Sequence, residues 1–382
     1  MKIGILTFHF SDNFGALMQA YALRQWFIRN GHDAVFVPYH PVHVEDGGSF
    51  RNILSASNFR RNLTILYMKI LHIWGKVFGN RSQRMQFDRF RAAHLGLHGL
   101  RRLTGEEIQQ DLVGCSMLVC GSDQIWAPSV QYGIDPVYFL DFPRASHFRR
   151  ISYAASFGRG TLQANYAKEV GSLLMQLDAI SVREFTGSEI VKRVSGREAL
   201  VVPDPTILLG NFSPLLGERL DEADHVFCYA LRSDEIIRGV AETVSSVLNL
   251  PLMSARNSRQ RWHDIGEGFS PGPVDWLKKL VSAKFVVTNS FHGVALAVIH
   301  NKPFIAVSLP KKKESLNARA INLLTSIGLM SRFLKSADRE SVLALLEQEL
   351  DWASVNNSLK TQREFAESYL FEQIEKAGVV TR

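Results

Sequence analysis

Cysteine is scarce in this chain of 382 residues, which contains only Cys115, Cys120 and Cys228. Their number is odd, and their spacing lacks the paired pattern of a zinc site. We therefore expect neither a disulfide framework nor a bound metal. All three are predicted to be small core residues.

A long uncharged hydrophobic run is also missing. The longest candidate, residues 65–74, contains Lys69 and His72 and is much shorter than the roughly 20 apolar residues that span a bilayer. A strand-like segment, residues 2–7, begins the chain and leaves no space for the regions of a signal peptide. We therefore expect a cytoplasmic protein, and its 46% apolar residues suffice for the cores of two or three domains.

Acidic residues are nearly absent from residues 51–102, where eleven Lys or Arg residues accompany one acid, Asp88. This segment has a net charge of +10, against +7 for the whole chain. Apolar residues such as Trp74 and Phe78 are interspersed, which predicts one or two basic amphipathic helices inserted into the fold. Such helices could rest on anionic lipid at the inner face of the cell membrane, contact an anionic substrate, or pack on their own domain. No nucleic-acid-binding motif is present, so we expect no nucleic acid partner.

The rest of the chain alternates strand-like and helix-like segments, which predicts an α/β fold with parallel sheets covered on both faces. Residues 1–205 are predicted to form an N-terminal domain that contains the basic insertion 51–102, and residues 225–340 a second alternating domain. Residues 206–224 are predicted to be an inter-domain linker. Residues 341–382 are predicted to form helices that pack across both domains.

Polar residues or glycines follow most of the predicted strands. Because the carboxyl ends of parallel strands meet at one edge of a sheet, we expect these residues to line one cleft between two domains. They are Asp12, Asn13 and Gly15; Gly121, Ser122, Asp123 and Gln124; Ser156 and Gly158; Arg183 and Glu184; Asp204; Arg232; and His292 and Gly293. Each also has a structural explanation when taken singly, such as a tight turn at a glycine or a salt bridge between Arg183 and Glu184.

His292 has the most informative context. It lies in a short polar loop, residues 288–293, between an apolar run and a helix-like segment, which places it on the first turn of a helix. Unpaired backbone N–H groups and the helix dipole favour an anionic ligand there, and they favour a neutral imidazole that can exchange a proton. We expect this side chain to be exposed in the cleft. A helix cap or a domain contact is the alternative.

Seven short segments occur in an order that is specific to one family. They are NFGA with QAYAL (13–16 and 19–23), GSDQIW (121–126), SYAASFG (152–158), SVRE (181–184), DPT (204–206), TNSFHG (288–293) and NKPF (301–304). Through them the chain resembles the polysaccharide pyruvyl transferase family over nearly its whole length. The resemblance implies a GT-B-like fold, with two Rossmann-like domains whose parallel sheets face a central cleft.

The resemblance also implies a reaction. It is the transfer of pyruvate from phosphoenolpyruvate to two hydroxyls of a saccharide as a cyclic ketal, in cell-surface or exopolysaccharide biosynthesis. Better known members carry an Arg-x-His before the last helix of this motif. Here the histidine is His292 and the arginine position is Ser290, so the donor is either held differently or is a different molecule.

This chemistry assigns predicted roles to the charged residues. Arg183 is expected to hold the carboxylate or phosphate of phosphoenolpyruvate with both arms of its guanidinium group. His292 is the predicted acid/base, and Asp123 or Glu184 is predicted to bind or deprotonate the acceptor hydroxyl. Arg319 is expected to neutralise the departing phosphate. Lys302 and Arg256 are weaker candidates for that role, more simply explained as surface charges.

The remaining predicted substrate-binding residues lie in the same loops. Trp126, and also Phe291, could stack on a sugar face or belong to the core. We expect no cofactor and no metal, with phosphoenolpyruvate as the donor substrate. The predicted binding residues are Asn13, Gly15, Gln124, Trp126, Ser156, Ser290 and Gly293.

Two alternatives remain open at this stage. A nucleotide-sugar glycosyltransferase of the same fold would use the same cleft for a diphosphate, but the only candidate acid for its ribose is Glu267. A non-catalytic saccharide-binding member of the family is the other, suggested by Ser290. The acceptor, possibly lipid-linked, and the oligomeric state are not determined by these patterns.

Overall fold

The structure is a computed structural model that describes residues 1–99, 101–217, 223–256, 265–310, 314 and 316–380. Two parallel α/β halves follow one another along the chain, as the alternating pattern predicts. Among the described residues, every helix falls short of the length or the apolarity needed to cross a membrane.

The first half is built on parallel strands. They are β1 (Lys2–Leu6), β2 (Asp33–Phe36), β3 (Cys115–Gly121), β4 (Arg149–Tyr153), β5 (Ser181–Val182) and β6 (Leu200–Val201). The sheet has the order β2-β1-β3-β4. Single bridges from Ile151 to Ala179 and from Ala155 to Val182 connect it to the parallel pair of β5 and β6. The carboxyl ends of these strands therefore lie along one edge.

Helices flank this sheet and form the basic insertion. They are α1 (Phe14–Arg29), α2 (Val42–Glu45), α3 (Phe59–Phe78), α4 (Arg81–Phe90), α5 (Ala164–Met175), α6 (Phe185–Ser195), α7 (Pro205–Leu209) and α8 (Ser213–Leu216). Residues 51–102, the predicted basic insertion, contain the two helices α3 and α4.

The second half contains a larger parallel sheet with the order β12-β11-β10-β7-β8-β9. Its strands are β7 (Ala223–Tyr229), β8 (Leu252–Ala255), β9 (Glu267–Phe269), β10 (Ala283–Thr288), β11 (Phe304–Val307) and β12 (Phe333–Leu334). The helices are α9 (Glu235–Leu248), α10 (Pro273–Ser282), α11 (Phe291–Ile299), α12 (Ala318–Ser326), α13 (Arg339–Glu347) and α14 (Trp352–Val380). The long helix α14 returns to the first sheet, where the Tyr369 hydroxyl donates to the Ser152 carbonyl.

The predicted linker has a different structure from the one expected. Within residues 206–224, the side chains of Ile207, Leu208 and Phe212 are buried in the core that both halves share. Helix α7 contacts α1, α11 and α14. Residues 206–216 are thus a packed part of the contact between the halves, whereas residues 218–222 lie outside the described part. Pro214 and the polar residues of this segment are typical of a linker. Its apolar side chains are buried instead, because burial removes them from water.

The three cysteines lie in buried positions, as predicted. Cys115 and Cys120 belong to β3 and Cys228 to β7, central strands that are nearly continuous apolar runs because helices cover both faces of each sheet. Burial raises the pKa of the Cys228 thiol to about 12.

Candidate active site

Arg183 lies at the centre of a buried charge network at the carboxyl end of β5. Its Nη1 atom is 2.8 Å from Asp204 Oδ2 and its Nε atom is 3.0 Å from Glu184 Oε1. Burial disfavours its charge, but Glu184, Asp204 and Asp123 more than offset this and raise the pKa of Arg183 above its ordinary value. Because Nε and Nη1 are occupied, the predicted two-armed grip on a donor is not available. Only Nη2 lacks a hydrogen-bond partner among the described residues.

Asp204 is the residue on which the network converges. Its Oδ1 atom accepts hydrogen bonds from the backbone N–H and hydroxyl of Thr206, at 3.0 and 2.8 Å, and so caps the start of α7. Its Oδ2 atom accepts from Ser122 Oγ at 3.0 Å and from Arg183. Burial alone would raise the pKa of this carboxyl group, but His292, Arg183 and these donors hold it well below the usual range. Asp204 is therefore a buried carboxylate with a fixed charge.

His292 connects the second half to this network. It occupies the first turn of α11, and its Nε2 atom lies 3.6 Å from Asp204 Oδ2. That atom is buried and lacks a hydrogen-bond partner among the described residues. The Nδ1 side of the ring lies against α1, where a Cβ atom on Gly15 would be only 2.1 Å from His292 Nδ1. Residue 15 must therefore be glycine for the ring to occupy this position.

Two expectations about His292 change. The side chain is 6% exposed rather than open to a cleft, because the two halves close over it. The sequence predicted only a helix N-terminus beside the ring, whereas the structure also places the Asp204 carboxylate 3.6 Å from His292 Nε2. The imidazole is therefore close both to the positive end of the α11 dipole and to the Asp204 carboxylate.

Arg319 adds a second buried cation from α12. Its Nη1 atom is 4.0 Å from Asp123 Oδ1, and its Nε atom has no hydrogen-bond partner among the described residues. Burial, followed by the nearby charge of Arg183, lowers the pKa of Arg319. Both guanidinium groups lie over the Phe291 ring, with centroid distances of 5.0 Å to Arg183 Cζ and 5.9 Å to Arg319 Cζ. Arg319 is therefore less fully compensated by protein than Arg183.

The backbone is unusual where β3 and β4 end. Ser122, Asp123 and Ala154 adopt positive φ angles of 23°, 63° and 52°, each of which costs about 1–3 kcal/mol for a residue other than glycine. The Asp123 carboxylate caps this turn by accepting from the Gln124 backbone N–H at 2.9 Å. Such strain persists only where surrounding contacts enforce it, and it clusters at functional sites.

Several predicted binding residues perform local structural tasks at the edges of the network. Asn13 Oδ1 accepts from the Ala16 N–H at 3.0 Å and caps α1. Ser290 Oγ accepts from the Gly293 N–H at 3.5 Å and so provides a neutral cap at the start of α11. Ser156 Oγ donates to Glu184 Oε1 at 3.0 Å. These contacts place the three residues at the edges of the network.

Trp126 does not belong to the site. It is 1% exposed, its ring stacks on Phe139 at 4.9 Å, and its Nε1 atom donates to the Tyr138 carbonyl. Both ring faces are therefore within the core of the first half. This corrects the prediction that Trp126 stacks on a sugar.

The two weaker cation candidates lie at opposite edges of the second sheet, because Arg256 follows β8 and Lys302 precedes β11. Lys302 precedes β11 and so occupies the edge opposite to the strand ends that carry the site. The Arg256 guanidinium lies against Gly268, where a Cβ atom would be only 2.5 Å from Arg256 Nε.

Sequence reasoning underestimated three residues. Asp204 and Ser122 were expected to line the cleft but had no role assigned, and Phe291 was expected either to stack on a sugar or to belong to the core. The structure makes Asp204 the shared partner of Ser122, Arg183 and His292. The signal for Asp204 was a carboxylate directly after a short strand and before proline, the pattern of a helix cap that also faces the strand ends.

Comparison with known proteins gives a family and a fold. Residues 13–309 match the family described as polysaccharide pyruvyl transferase. No curated protein sequence matches the chain. A structure of S. aureus MnaA with UDP aligns with 100% of this chain and 98% of its own at 10% identity, with a TM-score of 0.50.

Two further solved structures align over similar lengths. UDP-N-acetylglucosamine 2-epimerase from Rickettsia bellii aligns with 100% of this chain and 98% of its own at 9% identity and a TM-score of 0.48. The spinosyn rhamnosyltransferase SpnG aligns with 95% and 96% at 10% identity and a TM-score of 0.46. At these identities the comparison concerns fold alone. With the two parallel sheets, the fold class is GT-B-like α/β, as expected.

Proposed function

Because this chain belongs to the polysaccharide pyruvyl transferase family, we propose that it transfers pyruvate from phosphoenolpyruvate to two hydroxyls of a saccharide as a cyclic ketal. The observation that carries this proposal is the incompletely compensated Arg319, which lies over the same Phe291 ring as Arg183, whose Nη2 atom has no hydrogen-bond partner among the described residues. Phosphoenolpyruvate is a small molecule with a phosphate and a carboxylate. Two cations and an N-terminal helix turn match those two anionic groups.

Arg319 is the main donor-binding cation in this proposal. Arg183 is held by two carboxylates, so it contributes one N–H rather than a fork. The backbone N–H groups at the start of α11, beside Ser290 and Gly293, would hold the second anionic group. A bound anion would also compensate the charge of Arg319, which burial and Arg183 disfavour.

The reaction divides into an addition and a displacement. In the addition, the first sugar hydroxyl attacks C2 of phosphoenolpyruvate and loses its proton, while C3 gains a proton and becomes a methyl group. His292 supplies that proton and Asp123, the more exposed carboxylate, accepts the hydroxyl proton. In the displacement, the second hydroxyl attacks C2 and gives its proton to the deprotonated His292, while the bond from C2 to the phosphate oxygen breaks. Inorganic phosphate leaves and takes the proton that Asp123 holds. Asp204 and Glu184 orient the cations and stabilise the charged imidazole.

The proposed site must open to admit its substrates. Arg183, Glu184, Asp204, His292 and Arg319 are each at most 9% exposed, within the contact between the two halves. Donor and acceptor can reach them only when the halves separate. The described conformation therefore corresponds to a closed state, in which water is excluded from the reacting groups.

The first experiment is calorimetric titration of the purified protein with phosphoenolpyruvate and, separately, with UDP. We expect binding of phosphoenolpyruvate, and weaker binding by at least tenfold in Arg319→Gln. Arg339→Gln, an exposed arginine on α13, is the matched control and should bind as the parent does. Binding of UDP but not phosphoenolpyruvate would favour a nucleotide-sugar glycosyltransferase.

A turnover assay completes the test. With phosphoenolpyruvate and a panel of saccharides, we expect inorganic phosphate release that depends on the acceptor, with a new ketal methyl signal in the proton NMR spectrum. Tight binding of saccharide without any release of phosphate would instead indicate a non-catalytic member. The acceptor in our proposal is a lipid-linked saccharide of cell-surface or exopolysaccharide biosynthesis.

A further inference from the structure

Helix α3 turns its apolar face to the solvent. Ten of its large apolar or aromatic side chains are exposed, and Trp74 and Phe78 are 62% and 67% exposed with their rings 4.5 Å apart. At 100° per residue these ten side chains fall within an arc of about 160°. They are Phe59, Leu63, Leu66, Tyr67, Ile70, Leu71, Ile73, Trp74, Val77 and Phe78.

The opposite face of α3 holds it on the protein, and that face is mostly polar. Lys69 Nζ donates to Asp46 Oδ2 at 3.2 Å, and Asn62 exchanges hydrogen bonds with the backbone of Arg51 at 2.8 and 3.1 Å. Ile65 is the one fully buried residue of the helix. An amphipathic helix on a protein surface normally has the reverse orientation. In the part of the chain that the structure describes, the outward apolar face of α3 is open to solvent.

The surface around this face is positively charged. The chain has no acidic residue between Asp46 and Asp88, and these two carboxylates already pair with Lys69 and Arg91. Besides Lys69, the basic residues on α3 and at the start of α4 are Arg60, Arg61, Lys76, Arg81 and Arg84. A second copy of this chain would bring the same positive charge to the face, whereas anionic lipid headgroups would compensate it.

The insertion is tied to the loops that border the site. Arg91, which follows α4, donates to the carbonyls of His9 and Phe10 and to Asp12 in the loop after β1. On the other side, Gln83 Nε2 of α4 donates to the Pro271 carbonyl of the second half at 3.0 Å. A surface bound to α3 would therefore lie near the edge of the sheets at which substrates enter.

From these contacts we propose that α3 lies in the plane of an anionic membrane surface. Its exposed aromatic and aliphatic side chains enter the boundary between headgroups and acyl chains, and the basic residues contact lipid phosphates. This inference does not depend on the chemistry at His292. It adds a binding surface, and it would place the site beside a lipid-linked acceptor.

The test is co-sedimentation of the full chain with vesicles of phosphatidylcholine containing about a third phosphatidylserine, and with pure phosphatidylcholine vesicles, at low and high salt. We expect binding to the anionic vesicles that weakens at high salt. Each basic residue contributes roughly fivefold to partitioning, so the triple replacement of Arg60, Arg61 and Arg81 by Gln should lower it on the order of 100-fold.

Paired variants separate the apolar contribution. Trp74→Ser with Phe78→Ser should lower binding at least tenfold, whereas Phe365→Ser, a half-exposed aromatic on α14, should leave it unchanged. All of these side chains are on the surface, so we expect the variants to fold as the parent does. Circular dichroism spectra of parent and variants check this. Absence of binding at low salt, or equal binding to neutral vesicles, would overturn the proposal. So would a concentration-dependent dimer that the Trp74 and Phe78 replacements abolish.

Discussion

The imidazole of His292, from the second half of the chain, rests on the Cα atom of Gly15, from the first half. A Cβ atom at position 15 would lie 2.1 Å from His292 Nδ1 and 2.5 Å from its Cγ, well inside any permitted contact. The same ring lies 3.6 Å from Asp204 on its other side. The contact between the halves and the position of the candidate acid/base are thus one structural feature.

Gly15→Ala should therefore lower both activity and stability. The added methyl group must displace the ring or separate the halves, and we expect kcat to fall by about 100-fold or more and the free energy of unfolding by about 1–3 kcal/mol. Steady-state assays and thermal unfolding measure both effects. Gly75→Ala is the matched control, because a Cβ atom at that position would have no neighbouring atom within 4 Å. Full activity in Gly15→Ala would contradict the importance of this contact.

His292→Gln should fold normally and lose turnover. Glutamine fills similar space, and His292 Nε2 makes no hydrogen bond that the described residues show, so little stability is lost. Loss of the proton donor should lower kcat by about 100- to 10,000-fold and remove one limb of the pH profile. His300→Gln, at the other end of α11, serves as the control. An active His292→Gln enzyme with an unchanged pH profile would leave only a packing role.

Arg183 should prove chiefly structural. In Arg183→Ala, the buried carboxylates Asp204 and Glu184 lose their shared cation, and the free energy of unfolding should fall by about 3–5 kcal/mol. Arg183→Lys should recover only part of this, because one ammonium group cannot meet both carboxylates in the same geometry. Denaturant unfolding measures these free energies, which should fall in the order parent, Arg183→Lys, Arg183→Ala. A variant with parent stability but lost phosphoenolpyruvate binding would restore the original prediction of a donor anchor.

His9 should make the protein sensitive to mild acid. It is 3% exposed, and burial, with smaller contributions from His40 and Arg91, lowers its pKa from 6.5 to about 3. As the pH falls below 6.5, His9 therefore takes up a proton in the unfolded chain but not in the folded protein. Stability is lost between pH 6.5 and about pH 3.

Replacement of His9 isolates this effect. Between pH 7 and pH 4, the parent should lose about 3 kcal/mol more than His9→Gln. His98→Gln, an exposed histidine, should behave as the parent does. Urea unfolding at several pH values makes the comparison, and parallel stability curves for parent and His9→Gln would show that His9 does not control the acid response.

Much of the site could be anticipated from local patterns. Arg183, Glu184, Asp123 and His292 were predicted because each follows an apolar strand, and parallel strands bring their carboxyl ends to one edge. The structure places all four in one network or directly beside it. Trp126 follows the same strand as Asp123 but turns into the core, since a large ring next to Phe139 is more stable buried than exposed.

The amino-acid sequence by itself determined the two parallel α/β halves, the helical and basic character of residues 51–102, and the set of polar residues after the strands. These depend on periodicity and on contacts between neighbouring residues. Only the tertiary structure decided that Asp204 is the shared partner of Arg183 and His292, that Gly15 supports the imidazole, and that α3 turns its apolar face outward. Those relationships join residues far apart in the chain, and packing of the whole molecule selects among arrangements that local patterns leave equivalent.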